Sequence, residues 1–289
     1  MSKIHKIFFP SDFSETAQNA FRYCLLLADA YGAEIHLLHV VYPEYEMLDL
    51  PVMSVKATRD KIEFAQSALS SFTELTLSQV REQYTLNHIP QVEQEVEVGA
   101  PASVIAQVAQ RLQPDLLVMG TKGEHNALER TLGSVTTGVV EQVHCPVLVV
   151  PEHCGWKPAG IAAYATNLSE ADPYHVWKAA QLLEPFHPVM HVVHIANGKG
   201  ESAGPGASLE EVEEFFHRHE NNTAALQITF HELERASVTR GLEDFIDYYH
   251  IDLLIMFAPH HNWLDRLFKP SNTKKMALDS PVPLLLLKK

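Results

Sequence analysis

The segment Pro114-Asp-Leu-Leu-Val-Met119 returns at positions 251–256 as Ile251-Asp-Leu-Leu-Ile-Met256. Other pieces return around it in the same order. Val189-Met-His-Val-Val-His-Ile195 echoes Ile35-His-Leu-Leu-His-Val-Val41, with His191 and His194 falling on His36 and His39. Thr166-Asn-Leu-Ser-Glu170 stands where Ser11-Asp-Phe-Ser-Glu15 stood, and Ser280-Pro281 to Leu287 matches Cys145-Pro146 to Val150. A chain of 289 residues that repeats itself in this way is expected to fold as two copies of one domain of ordinary size. The boundaries fall at residues 1–151 and 158–289, because the turn-rich stretch Pro151 to Pro158 interrupts the pattern. Two copies of one fold generally pack about a pseudo-twofold axis, which predicts an intramolecular pseudo-dimer.

Within the first copy, short apolar runs alternate with helical patterns. Ile7 to Pro10 reads as a strand, and Thr16 to Tyr31 repeats its apolar residues at helical spacing, with Asp12 or Ser14 available as N-cap and Gly32 as C-cap. Ile35 to Val41 is a second buried strand. A long amphipathic pattern over Ser54 to Leu86 predicts the next helix, with one break left open. Val92 to Val98 alternates valine with polar residues, as a strand with one wetted face does, and Ala102 to Leu112 is helical. Leu209 to Asn222 and Leu242 to Tyr249 predict helices in the second copy, with a strand over Leu226 to Leu233 between them. Alternating strands and helices imply an α/β fold with a parallel, doubly wound sheet in each copy.

The Asp-Leu-Leu-Val-Met strand of the first copy runs into Gly120 to Thr136, GTKGEHNALERTLGSVT, and then into a helical stretch. Its glycines follow the spacing G-x2-G-x9-G-S at Gly120, Gly123, Gly133 and Ser134. A Gly-rich turn from the carboxyl end of a buried strand to a helix N-terminus combines exposed N–H groups with the positive end of a helix dipole, which suits an anion. In open α/β sheets ligands bind at that edge. Spacing alone leaves an ordinary strand-to-helix connection open as a second reading.

Composition narrows the partners. The formal net charge of −14 argues against non-specific nucleic-acid or anionic-membrane binding, since both need basic patches. No stretch approaches the length of a membrane span, and the N-terminal apolar run is too short for a signal peptide. Cys24, Cys145 and Cys154 form no disulfide framework, C-x-x-C or zinc pattern, so a reducing, cytoplasmic setting is expected.

Four marks in order carry a resemblance: Pro10-Ser-Asp-Phe-Ser-Glu15, Leu37-Leu-His-Val40, Asp115-Leu-Leu-Val-Met-Gly120 with its glycine-spaced loop, and Cys145-Pro-Val-Leu-Val-Val-Pro151. Together they resemble the universal stress protein family in its tandem two-domain form. The resemblance implies two five-stranded parallel sheets of strand order 3-2-1-4-5, of the adenine nucleotide alpha-hydrolase-like kind. It also implies that Val147 to Val150 and Leu284 to Leu287 pair or abut, with a further homodimer left open. It implies ATP, or ADP or AMP, with Mg as an accompanying ion, lying across the carboxyl ends of the first, second and fourth strands.

Carried over by position, Asp12 would meet the adenosine part, with Pro10 and Ser11 shaping the pocket and the main chain of Val40 bonding adenine. Met119 would line the ribose or base wall. Gly120, Gly123 and Gly133 would let backbone approach phosphate. Ser134, Val135 and Thr136 would offer amides, and the two hydroxyls of Ser134 and Thr136 would reach phosphate oxygens. Lys122 could neutralise phosphate charge, or simply be a solvated lysine.

The second copy departs from this pattern. At the glycine positions stand Phe257, His260 and Pro270, Ser271 survives, and Asp12 becomes Asn167. Proline lacks an N–H and the other side chains add bulk, so the second domain is not expected to hold ATP in the same way. Ala162, Ala163 and Ala165 on its first strand either leave room for a ligand or pack tightly against a helix. The histidines show no tight metal-ligand spacing, and His191 and His194 should point to opposite faces of their strand. His260 and His261 are the best candidates if a metal exists. No G-x-S-x-G, H-E-x-x-H or P-loop motif is present, so the expected role is nucleotide binding in a stress response, signalled to an unknown protein partner, with at most slow ATP hydrolysis. The alternative is a non-catalytic scaffold, or a binder of another small molecule or lipid through the second domain.

Overall fold

The computed structural model describes residues 4–42, 51–121, 133–169, 171–196, 208–218, 227–258 and 282–288, and the side chains of helical residues 51–57 and of His217 stay outside the description. The chain divides into two compact units, Ile4–Trp156 and Lys157–Lys289.

The first unit runs β1 (Lys6–Ser11), α1 (Glu15–Tyr31), β2 (Glu34–Val41), α2 (Pro51–Gln83), β3 (Val92–Val98), α3 (Pro101–Leu112), β4 (Leu116–Gly120), α4 (Ser134–Gln142) and β5 (Val147–Val150). Its strands pair in parallel in the order β3-β2-β1-β4-β5, as the doubly wound reading expects. The register places Pro10 beside Leu38 and Ser11 beside His39. Phe8, Phe9, Phe21, Leu37 and Leu117 are wholly buried between sheet and helices.

Local chemistry sets the helix ends. Ser14 caps α1, its Oγ accepting from the Ala17 amide at 3.1 Å. Gly32 ends the helix at φ 64°, its N–H donating to the carbonyls of Ala28 and Asp29. The break left open in the second helix does not occur: α2 runs unbroken from Pro51 to Gln83. Its hydroxyl residues fold back onto the helix, Ser67, Ser70, Thr73 and Thr76 each donating to the carbonyl four residues earlier. A helix absorbs such bonds with slight bending rather than interruption.

The second unit runs β6 (Ile161–Thr166), α5 (Asp172–Leu182), a short 3-10 turn (Glu184–Phe186), β7 (Val189–Ala196), α6 (Leu209–Arg218), β8 (Gln227–Glu234), α7 (Val238–Tyr249), β9 (Leu253–Phe257) and β10 (Leu284–Leu287). Its parallel order is β8-β7-β6-β9-β10, the same winding as the first. Ala162 and Ala163 are wholly buried. The helix expected at Leu242 begins at Val238 instead. Gly241 lies inside it; a Cβ there would stand 2.7 Å from Ile195 Cγ2, so the glycine lets α7 approach β7. Among the described residues no helix is long and apolar enough to cross a membrane.

Candidate functional site

In the first unit, β1 leads through α1 to β2 on one side, and β4 leads through α4 to β5 on the other. The chain's winding therefore reverses between β1 and β4, and the carboxyl ends of those two strands flank a crevice of the kind in which α/β sheets bind ligands. Pro10, Ser11, Met119, Gly120 and the amino end of α4 all belong to that edge. Val40 lies one residue from the end of β2, half-buried, next in line along the sheet.

The turn after β1 is tied by its own side chains. Ser11 Oγ accepts from the Phe13 amide at 3.1 Å, and Phe13 takes a left-handed conformation, φ 65°. Asp12 is exposed; its Oδ1 accepts from the Ser14 amide at 3.1 Å and from the Ser14 hydroxyl at 2.7 Å. Of the two capping candidates, Ser14 holds the helix, and Asp12 orients Ser14. His39 completes the wall. Its ring stacks on Phe13 with centroids 4.3 Å apart, and Nδ1 lies 2.9 Å from the Ser11 carbonyl. A carbonyl only accepts, so Nδ1 carries the proton. Burial pushes this imidazole below its ordinary range, against the raising influence of the Ser11 carbonyl and the Asp12 charge.

Gly120 is a packing requirement. A Cβ there would meet Thr16 Cγ2 at 2.9 Å and the Thr16 carbonyl oxygen at 3.3 Å, so only a glycine lets the end of β4 press against the first turn of α1. From this point the chain is stitched to α4. The Gly133 amide donates to the Thr121 carbonyl at 2.9 Å, and the buried Thr136 hydroxyl donates to the Gly120 carbonyl at 3.2 Å. Thr136 thus spends its hydroxyl on the scaffold and brings only its amide to the edge.

Helix α4 begins without a side-chain cap. Gly133 occupies the N-cap position and makes no side-chain bond to the first turn, and Ser134 and Val135 are exposed there. In α1, by contrast, a serine oxygen fills that role. Among the described residues no side chain caps these first-turn amides, and with the positive dipole end they favour an incoming anion. Lys122 and Gly123 lie outside the described residues.

The second unit keeps the frame and changes its contents. Thr166 Oγ1 accepts from the Leu168 amide at 2.8 Å, and Leu168 has φ 61°, repeating Ser11 and Phe13. His194 Nδ1 lies 3.2 Å from the Thr166 carbonyl, repeating His39. At the end of β9, however, Phe257 replaces Gly120 and stacks on buried His175, ring centroids 3.6 Å apart. Burial lowers the His175 pKa, with Asp172 opposing and Lys178 assisting. Asp172, 1% exposed, gathers the Tyr164 hydroxyl at 3.0 Å, the Thr166 hydroxyl and the Ser169 amide at 2.9 Å. Its counterpart in the first unit is Ala17. His260, His261, Pro270 and Ser271 lie outside the described residues.

Sequence reasoning missed three of these features. It assigned no helix at Asp172–Leu182, no role to His39, and a ligand-facing role to Gly120 that does not account for Thr16. The repeated His-Val and His-Ile pairs at the ends of β2 and β7 were the available signal for His39 and His194.

Comparison with known proteins follows the same division. The model of the family described as "Universal stress protein family" matches residues 3–151 and again 162–288. Universal stress protein MJ0577 of Methanocaldococcus jannaschii is 30% identical over 152 residues, covering 50% of this chain and 93% of that protein. Universal stress protein MJ0531 of the same organism is 29% identical over 147 residues, covering 50% of this chain and 81% of that protein. Among solved structures, a universal stress protein from Archaeoglobus fulgidus covers 98% of this chain and 96% of its own, with a TM-score of 0.68 and 15% identity, a likeness of fold.

Proposed function

This chain belongs to the universal stress protein family, and on that premise we propose that its first unit binds an adenine nucleotide (ATP, or ADP or AMP) at the carboxyl edge of β1, β2 and β4. The observation that carries the reading is the amino end of α4. Gly133 leaves the first turn uncapped at the point where the winding of the sheet reverses. A phosphate bonded to the amides of Ser134, Val135 and Thr136 takes the place of the missing cap. A protein of net charge −14 can bind an anion this way because local amides and the dipole act at short range, whereas distant surface charge is screened. Mg accompanies the phosphates, and Lys122 and Gly123 contribute from the loop.

Asp12 and Val40 serve the other end of the ligand. Asp12 sits exposed beyond β1, suited to ribose hydroxyls, and the main chain of Val40 suits the base. The rigid Ser11-Phe13-His39 wall keeps that end fixed. The second unit, with Phe257 on His175 where the first has Gly120, holds no nucleotide in this manner and supports the first. Nucleotide occupancy is then the stress signal read by a protein partner.

Calorimetry with ATP and Mg on the full chain tests the proposal, with one site per chain expected. Gly133→Val should abolish binding; Gly133 has φ −55°, which valine adopts, and its side chain adds bulk beside the amides that meet the phosphate, with the melting temperature of the variant checking its fold. Absence of binding in the wild type, or undiminished binding in Gly133→Val, would overturn it.

A further inference from the structure

The two units differ again on the helix-covered face of their outer strands, away from the crevice. In the first unit His36 lies between two carboxylates of β3, Nδ1 at 3.3 Å from Glu93 and Nε2 at 2.6 Å from Glu95. Arg111, near the end of α3, closes the group on Glu95 at 2.5 Å. Burial pushes the Glu95 carboxyl up, and the hydrogen bonds from Arg111 and His36 outweigh it and hold the carboxyl below its ordinary range. Hydrogen-bond donors are thus set against carboxylate oxygens inside the cluster.

At the corresponding positions of the second unit stand His191, Thr229 and His231. Register sets His191 beside Thr229 and Val193 beside His231, so the three side chains rise from one face of β7 and β8. Both carboxylates and the arginine are gone. Three electron-pair donors remain, and they converge: His191 Nδ1 to His231 Nε2 is 3.0 Å, Thr229 Oγ1 to His191 Nδ1 is 2.7 Å, and Thr229 Oγ1 to His231 Nε2 is 3.0 Å.

We propose that His191, His231 and Thr229 bind one late first-row divalent cation, of the Zn2+ and Co2+ class. The edges of the triangle come within a few tenths of an ångström of what such an ion needs. Two metal–nitrogen bonds of about 2.1 Å meeting at a tetrahedral angle span about 3.4 Å, so the two nitrogens, 3.0 Å apart here, part by a few tenths of an ångström to take the ion. Imidazole nitrogen is the donor this class of cation selects over Mg2+ or Ca2+. Tyr249 supplies the outer support, its hydroxyl 3.3 Å from His231 Nδ1. With the hydroxyl accepting from Nδ1–H, the Nε2 lone pair is left for the metal, the arrangement ligating histidines use.

Two further features favour a cation. Tyr249 is the last residue of α7, so the triangle lies by the negative end of that helix dipole. Thr229 is exposed and His231 half-buried, which gives solvent access and room for water ligands. Among the described residues no three His, Cys, Asp or Glu side chains converge on a metal position, so water completes the shell.

Chelator-treated full-length protein titrated with Co2+ should develop visible ligand-field absorption saturating at one equivalent per chain, and Zn2+ should abolish it by displacement. His231→Gln should remove this absorption, His187→Gln, outside the triangle, should keep it, and Tyr249→Phe should weaken binding roughly tenfold. Anomalous diffraction from Zn2+-soaked wild-type crystals gives a readout independent of any variant's folding. A peak between Nδ1 of His191 and Nε2 of His231 supports the proposal. A flat titration, absorption undiminished in folded His231→Gln, or an anomalous peak only elsewhere overturns it.

Discussion

After its first strand, the first unit turns on Ser11-Asp-Phe-Ser14, where Ser14 caps α1 and Asp12 steadies the cap. The second unit makes the same left-handed turn at Leu168 but anchors it from below, on buried Asp172. Across the crevice the contrast continues: a glycine pressed against Thr16 in one unit, an aromatic stack of Phe257 on His175 in the other. One backbone plan therefore accommodates two treatments of the same edge. The first keeps its polar groups at the surface, where a ligand can meet them. The second turns them inward and spends them on stability.

Replacing the anchor should break this comparison most strongly. Asp172→Ala leaves the Tyr164 and Thr166 hydroxyls without their acceptor in a buried position and should cost about 3 kcal/mol; denaturant unfolding of the full chain measures it. A cost near zero would mean that the inward network is not what holds the second turn.

Adding the missing Cβ to the first unit comes next. Gly120→Ala should cost about 2 kcal/mol through the clash with Thr16. Thr16→Ala in the same chain should recover part of that loss, because one of the two close atoms is a side-chain methyl. No recovery would shift the cause to the Thr16 carbonyl, at 3.3 Å.

The caps should differ by less. Ser14→Ala removes the acceptor of the Ala17 amide and should cost about 1 kcal/mol. Ser169→Ala should cost less, since α5 has no side-chain cap and Asp172 already holds the Ser169 amide. Thermal melting of the two variants compares them.

Acidification should give the smallest effect per residue and the clearest division between units. Burial lowers the pKa of His39 in the first unit and of His175, His191 and His231 in the second, with the charge of His231 adding to the shift of His191. Folded imidazoles of this kind hold fewer protons than unfolded ones. Their contribution is complete above about pH 6.5 and is lost as pH falls through the lowered folded values. Hydrogen exchange on the metal-free protein, followed at pH 7.5 and 5.5, should show protection falling further in the second unit. Equal loss in the two units would contradict this.

Much of the plan was legible along the chain. The paired Asp-Leu-Leu segments, the strand-to-helix turns and Gly32 each express a local rule, so their positions matched closely. Local rules failed where a distant partner decided the outcome. The helix expected from Leu242 starts at Val238, with Gly241 inside it fitted against Ile195, a residue far away in the numbering. The reading that set His191 and His194 on opposite faces agrees with their separate partners, His231 and Thr229 for one and the Thr166 carbonyl for the other. The expected strand order set the two strands side by side, but the register that brings Thr229 and His231 to His191 could not be foreseen.

By itself, the sequence determined a tandem α/β chain with a glycine-marked turn in its first half and a departure from it in the second, because periodicity, capping and repetition are properties of neighbours in the chain. Tertiary structure alone decided that Gly120 serves Thr16, that Thr136 gives its hydroxyl to Gly120, that His39 rests on Phe13, and that His191 meets Thr229 and His231. Each of those depends on side chains that strand register and helix packing bring within a few ångströms, and distance through space carries no signature in a single chain's spacing.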